Sequence, residues 1–323
     1  MKTPYVALLG SLICANALAA PMQGIHFKHK DWETACDNTG TCRVAGYHHE
    51  SEYDKRISVL FTRMAGSSAV SGELSYAGES VQQKTINLLI NQKIIGKLIL
   101  QHDSYRLSPQ IAQMVIAATK GRDTVQIQVG KEIFTLSNAG AAAVWLKADE
   151  FQQFGKLKPQ PKPLIKKAQT VSGSLKTSGA SFAKINSAEQ NQIRQLLRSK
   201  LDSETCHFLH ENTEAIALYR LNSQNLLAET ICWRGAYNEG LLAVVLDNSR
   251  KTIRQVVTLH ATDYNNGEIH GGHKSRGIGD CWSGETHVWD GKRFIQTQEY
   301  STGMCRGFAG GAWHLPTLVS DVK

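Results

Sequence analysis

The 323 residues exceed what one hydrophobic core usually organises, since cores rarely grow past roughly 250 residues, so two domains are expected. A composition of 41% apolar and 20% charged residues excludes a disordered, collagen-like or multi-span membrane chain. The net charge of +8 sits on Lys2 and on seven lysines between Phe151 and Ala188, where there is no Asp or Glu; nucleic acid is therefore not an expected partner, because a nucleic-acid-binding domain carries its basic excess on the folded unit.

Lys2, the apolar run Val6 to Ala15 and the small-x-small Ala17-Leu18-Ala19 follow the order of a secretory signal peptide over residues 1–19. The apolar run is shorter than the roughly 20 residues that span a bilayer, and no later stretch is long enough. The expectation is a soluble, exported, periplasmic protein without a transmembrane segment. Cleavage removes Cys14 and leaves Cys36, Cys42, Cys206, Cys232, Cys281 and Cys305. An even count in an oxidising compartment suggests disulfides. Several connectivities are open; two cysteines precede the lysine-rich stretch and four follow it, which favours sequential pairing. No pair has the C-x-x-C spacing of a zinc ribbon.

The first module is expected over residues 20–155. Trp32, Thr34 and Cys36 share one face of a strand, and Asp37-Asn38-Thr39-Gly40 turns it toward Cys42. Ile57, Val59 and Phe61 alternate. Thr85 to Ile90 and Ile94 to Leu100 flank Asn91-Gln92-Lys93, and Val125 to Val129 and Glu132 to Leu136 flank Gly130-Lys131. Ser108 caps a helix opened by Pro109 and stopped by Gly121, and Asn138 is expected to cap a second helix from about Gly140 to Phe154.

Residues 156–184 read as a basic linker, with Pro159, Pro161 and Pro163 followed by Ser, Thr, Gly and Lys. Its lysines could contact anionic envelope polymers. The second module, residues 185–323, opens with a capping-box pattern at Ser187-Ala188-Glu189-Gln190 and a helix to about Leu201. An antiparallel meander follows over Ala215 to Leu221, Leu226 to Trp233, Leu241 to Asp247, Ile253 to Leu259, His287 to Trp289 and Arg293 to Gln298, with Asp290-Gly291 turning the last pair. The expected class is α+β: two small, mainly antiparallel β modules, each with one or two packed helices, joined by a Pro/Lys/Ser-rich linker.

Asp31-Trp32-Glu33 with Ala35 to Arg43, Cys232 to Asn238, Gly279-Asp280-Cys281, Val288 to Gly291 and Cys305-Arg306-Gly307 together resemble the exported bacterial domain-of-unknown-function family 1176 from about Phe27 to Thr317. The N-terminal half is also faintly similar to the invasion-associated locus B family, through Trp32, Cys36, Cys42 and the Gly140-Ala141-Ala142-Ala143 helix opening. The first resemblance implies export and paired cysteines. It carries over no catalytic residue.

His48-His49, His207 with His210 and His270 with His273 raise the question of a metal, but no third ligand is specified, so neither metal nor other cofactor is expected. No G-x-S-x-G, H-E-x-x-H, phosphate-loop or dinucleotide pattern occurs, so no enzyme is expected. The expected function is that of a periplasmic binding or interaction protein for an envelope or protein ligand. The alternatives are an envelope hydrolase or an inhibitor of lysozyme-type enzymes. The candidate binding residues are Arg234, Tyr237, Asn238, Arg276, Asp280 and Arg306, because Arg and aromatic side chains on Gly-flanked loops are typical of ligand hot spots. In the competing structural reading, Arg306 only pairs with Asp280, and Trp233, Tyr237 and Trp289 fill the core.

Overall fold

The computed structural model of the chain describes residues 23–78, 83–154, 168–173, 185–211 and 214–323. The expected signal peptide and most of the basic linker (156–167 and 174–184) lie outside the described residues.

In the N-terminal half, alternating apolar residues form β1 (Ile25–His29), β2 (Trp32–Cys36), β3 (Cys42–Tyr47), β4 (Arg56–Arg63), β5 (Val70–Ala77), β6 (Thr85–Ile90), β7 (Lys93–Gln101) and β8 (Ser104–Leu107). Helix α1 (Pro109–Lys120), β9 (Val125–Val129), β10 (Glu132–Leu136) and α2 (Ala141–Phe151) complete it. The ten strands form one antiparallel sheet in the order β1-β2-β3-β4-β5-β8-β7-β6-β9-β10. It curls until β10 meets β4, and α2 lies across β1 to β3. One core results, in which Trp32, Phe61, Tyr105 and Phe134 are fully buried with Val115 of α1 and Trp145 of α2.

The local signals act largely as expected. The Ser108 side chain accepts from Ile111 N, Pro109 opens α1 and Gly121 follows it. Asn91 and Gln92 both take positive φ, 50° and 65°, which makes the β6–β7 connection a two-residue turn of the mirror-image kind that matches strand twist. Helix α2 differs from expectation: its cap is Gly140, without a side-chain cap, and the Asn138 amide instead donates to Asp123 O.

The C-terminal half contains β11 (Gln169–Val171), α3 (Ser187–Arg198), α4 (His207–Glu211), β12 (Ala217–Arg220), β13 (Asn225–Arg234), β14 (Glu239–Asp247), β15 (Ile253–Ala261) and β16 (Asp263–Asn265). It continues with β17 (Glu268–Lys274), β18 (Trp282–Trp289), β19 (Phe294–Ser301), β20 (Leu315–Leu318) and β21 (Ser320–Val322). The capping box is present but one residue earlier than expected, between Asn186 and Glu189. The expected single meander is two stacked antiparallel sheets, β12 to β15 and β16 to β20. The reason lies in Leu226-Leu227-Ala228 and Leu242 to Leu246, which are buried on both faces of their strands. Such a sheet needs a layer on each side. Leu226, Ala228, Leu242 and Val244 face α3 and α4, whereas Leu227, Ala243 and Val245 face Trp289 and Phe294 of the second sheet.

Inside the stretch expected as linker, β11 pairs in parallel with β21, and Val171 is buried. The three disulfides connect Cys36 to Cys42, Cys206 to Cys232 and Cys281 to Cys305. The two halves meet along the C-terminal segment. Phe308 and Leu315, with Met304, Ala312 and Trp313 beside them, pack on Ala35, Ala45, Tyr47 and Leu60 of the first sheet. Trp313 Nε1 donates to Ser58 Oγ at 2.6 Å, and Asn38 exchanges two hydrogen bonds with the Val319 backbone. No described helix is long and apolar enough to cross a membrane.

Candidate functional site

The six sequence-derived binding residues fall into four settings. Arg234 is exposed and reaches Glu239 Oε2 from Nε at 3.1 Å and from Nη2 at 2.9 Å, with its guanidinium over the Phe208 ring. Tyr237 and Asn238 hold the loop after β17: the Asn238 amide donates to Lys274 O at 2.7 Å and its carbonyl accepts from Lys274 N, while Tyr237 OH donates to Ser275 O. They also line a small groove of about 230 Å³ with Thr262, His273 and Trp282. Arg276 pairs with Asp280, whose Oδ2 also accepts from Gly307 N at 2.7 Å. Burial works to raise the Asp280 pKa, but Arg276 and the Gly307 amide outweigh it and hold the carboxyl below its ordinary value.

Arg306 does not pair with Asp280. Its Nη2 donates to Asp31 Oδ1 at 2.8 Å, and both side chains are less than a tenth exposed. Beside this pair, Glu33 is fully buried and accepts from His26 Nε2, Tyr47 OH and Met304 N at 2.6 to 2.7 Å. Burial alone would raise the Glu33 pKa; the His26 and Tyr47 hydrogen bonds and the Lys28 charge reverse it, so the carboxylate stays ionised. Arg56 Nη1 donates to Gly307 O. The Met304 to Gly307 segment is thus the polar seam between the halves.

A larger groove, about 350 Å³, opens next to the Tyr237 groove, with His273 common to both. It is lined by Trp233, His260, Gly271, His273, Ser283, Gly284, Glu285, Glu299 and Tyr300. Irregular pairing aims these side chains. The register of β13 on β14 shifts between Ile231 and Trp233, and that of β19 on β20 shifts between Glu299 and Tyr300, so two successive residues of β19 both reach the groove. Such bulges re-aim side chains. Two glycines then let the aromatic rings lie close on the backbone: a Cβ on Gly240 would sit 2.3 Å from the Trp233 indole, and one on Gly284 would sit 2.5 Å from the Tyr300 ring.

The polar groups of the groove are partly engaged. Trp233 Nε1 donates to Leu259 O at 2.8 Å. His273 Nε2 lies 2.8 Å from His260 O; a carbonyl only accepts, so this nitrogen carries a proton, and in the neutral ring Nδ1 carries the lone pair. That Nδ1 is covered and has no partner among the described residues. Glu285 accepts from Thr258 Oγ1 and lies 3.4 Å from His287 Nε2. Burial pushes the Glu285 pKa up, but the neighbouring His287 imidazole, the Thr258 hydrogen bond and the nearby His260 more than offset this, and the carboxyl remains below its ordinary value. Glu299 is the direct cross-strand partner of Glu285.

Trp233 stood in the sequence as a core candidate, and His273 as half of a histidine pair without a third ligand. Glu285, Glu299, His260 and Tyr300 carried no signal, because nothing in a linear pattern reports which strands of two stacked sheets come together. A family model described as Protein of unknown function (DUF1176) matches residues 26–320. No curated protein and no solved structure matches the chain.

Proposed function

The chain belongs to the protein family of unknown function DUF1176, and from that premise we propose that it is an exported binding protein of the bacterial periplasm whose ligand site is the groove between β15 and β17 to β19. The observation that carries this reading is the convergence of Trp233, Tyr300, two imidazoles and two carboxylates on one concave surface of ligand size. Export is supported by the order of Lys2, Val6 to Ala15 and Ala17-Leu18-Ala19 and by the three disulfides. The basic linker is proposed to touch anionic envelope polymers and keep the protein near them.

An envelope hydrolase is the second reading, because Ser283, His273 and Glu285 share the groove. Binding is favoured over it. His273 Nε2 donates to a backbone carbonyl, Glu285 is engaged by Thr258, and Ser283 makes no hydrogen bond to an imidazole among the described residues, so no nucleophile–base pair is assembled.

The test is a plugged groove. Ser283 is exposed, and Ser283→Trp fills the space without touching the core. Small-molecule fractions of periplasmic extract are expected to shift the Trp233 indole resonance of the mature, oxidised protein and to leave the folded Ser283→Trp variant unchanged. Equal binding by both proteins would remove the groove from consideration.

A further inference from the structure

We infer that the groove takes an organic cation, a primary ammonium or guanidinium group on a short apolar stem; this deepens the binding reading and rests on it.

Three independent features point to that chemistry. The first is hydrogen-bond polarity. The donors of Trp233 and His273 are already satisfied by Leu259 O and His260 O, which leaves the carboxylates of Glu285 and Glu299 among the groove's lining residues, with the unpartnered, covered Nδ1 of His273 beside them. Ser283 and Tyr300 offer hydroxyls that can accept as well as donate. A ligand rich in N–H donors satisfies these acceptors; a carboxylate or phosphate does not.

The second feature is charge. The chain as a whole carries +8, yet no Lys or Arg is among the described residues lining this groove, and two carboxylates are. Glu285 and Glu299 stand directly opposite each other on β18 and β19. Like charges at directly opposed strand positions repel. Glu285 is held ionised by Thr258 and His287, so protonation is not the relief the structure favours. A cation between the two carboxylates is.

The third feature is the aromatic wall. The Trp233 and Tyr300 rings both line the groove; the Trp233 indole N–H is taken up by Leu259 O, and the Tyr300 ring packs closely on Gly284. Ring faces attract ammonium and guanidinium groups within about 6 Å of the centroid. The space of about 350 Å³ suits a group the size of an amino-acid side chain with its stem.

A transition-metal site is not what these residues form. The one cluster of three or more His, Cys, Asp or Glu ligand atoms lying within 4.8 Å of one another among the described residues is Asp280, Cys281 and Cys305, and its two sulfurs are joined in a disulfide.

The experiment titrates the mature, oxidised protein by calorimetry and by the Trp233 indole resonance with arginine amide, an Ala-Arg-Ala peptide, a neutral N-acetylglucosamine disaccharide and zinc ion. Arginine amide and the peptide are expected to bind at the Trp233 resonance, and the tighter of the two shows whether a free amine or a peptide side chain is the source. Glu285→Gln and Glu299→Gln should each weaken that binding about tenfold, as expected when a charged hydrogen bond to a cation becomes neutral. Glu299 is exposed, so its variant reports on the ligand even if Glu285→Gln disturbs the fold. If the disaccharide shifts Trp233 and arginine amide does not, the cation inference falls while the groove stands. Zinc binding that is lost in His273→Gln, without amine binding, likewise overturns it. If no probe and no periplasmic fraction reaches Trp233, the groove reading fails as well.

Discussion

The seam around Arg306 and the groove around Glu285 are both clusters of charged and aromatic side chains, and they differ in how far each cluster satisfies itself. At the seam, Asp31 takes Arg306 and the Ser137 hydroxyl, and Glu33 takes three hydrogen bonds from both halves of the molecule. In the groove, a histidine lone pair is left without a partner and two carboxylates oppose each other. At the seam the carboxylates are engaged from both halves and hold the chain together, with only Arg306 Nη1 left without a hydrogen-bond partner among the described residues, whereas the opposed carboxylates of the groove are prepared to hold something else.

The largest effect is expected at the seam. Arg306→Ala leaves Asp31, whose side chain is 7% exposed, as a buried carboxylate without its cation. Removing one partner of a buried pair costs about 3 to 5 kcal/mol. Urea unfolding of the variant should show a loss of that size, and a change below about 1 kcal/mol would mean that the seam is a surface contact in solution.

An intermediate effect tests the interior of the C-terminal half. Glu229 on β13 is 5% exposed, its Oε1 has no hydrogen-bond partner among the described residues, and burial with the charge of Asp263 raises its pKa to about 7. A raised carboxyl favours the folded state in its neutral form. The contribution is fully present below the ordinary value of 4.5 and is lost as pH rises through about 7. The shift corresponds to about 3 kcal/mol between acid and alkaline limits. Glu229→Gln should flatten the stability profile between pH 5 and pH 8 relative to the wild type, when both are measured by denaturant melts over roughly that range. A profile with the same slope in both proteins would place the titration elsewhere.

The smallest stability effect belongs to the groove itself. Glu299→Gln removes an exposed charge opposite Glu285, so its unfolding free energy should stay within about 0.5 kcal/mol of the wild type, with any change toward greater stability. A substantial loss would show that Glu299 is structural and would dissolve the contrast between seam and groove.

Local chemistry was readable wherever neighbouring residues decide the outcome. Ser108-Pro109 and Gly121 bound α1 at its observed ends, and the ladders of β6 with β7 and β9 with β10 follow from the alternation of their own apolar residues. Capping was less legible: Gly140 rather than Asn138 starts α2, and Asn186 rather than Ser187 closes the box of α3, because several adjacent polar residues can compete for the same amides. The candidate site was legible only in fragments. Tyr237 and Asn238 sit in the smaller groove, whereas Glu285, Glu299, His260 and Tyr300 are separated in sequence and meet only when β15 and β19 are brought to either side of β17 and β18.

The sequence by itself determined the class of the chain and its local frame: an α+β protein of antiparallel sheets, the cysteine order that closes three sequential disulfides, and the caps of α1 and the tight hairpin turns, since the caps and turns depend on residues within a few positions of one another and the disulfides close over separations of 6, 24 and 26 residues. Tertiary structure alone decided that the second half splits into two stacked sheets, that β11 pairs with the chain end, and that Arg306 faces Asp31 across 275 residues instead of its near neighbour Asp280. The physical reason is the same in each case. Burial on both faces of β13 and β14 demands a second layer, and that layer fixes which distant charges become neighbours and which are left facing an open groove.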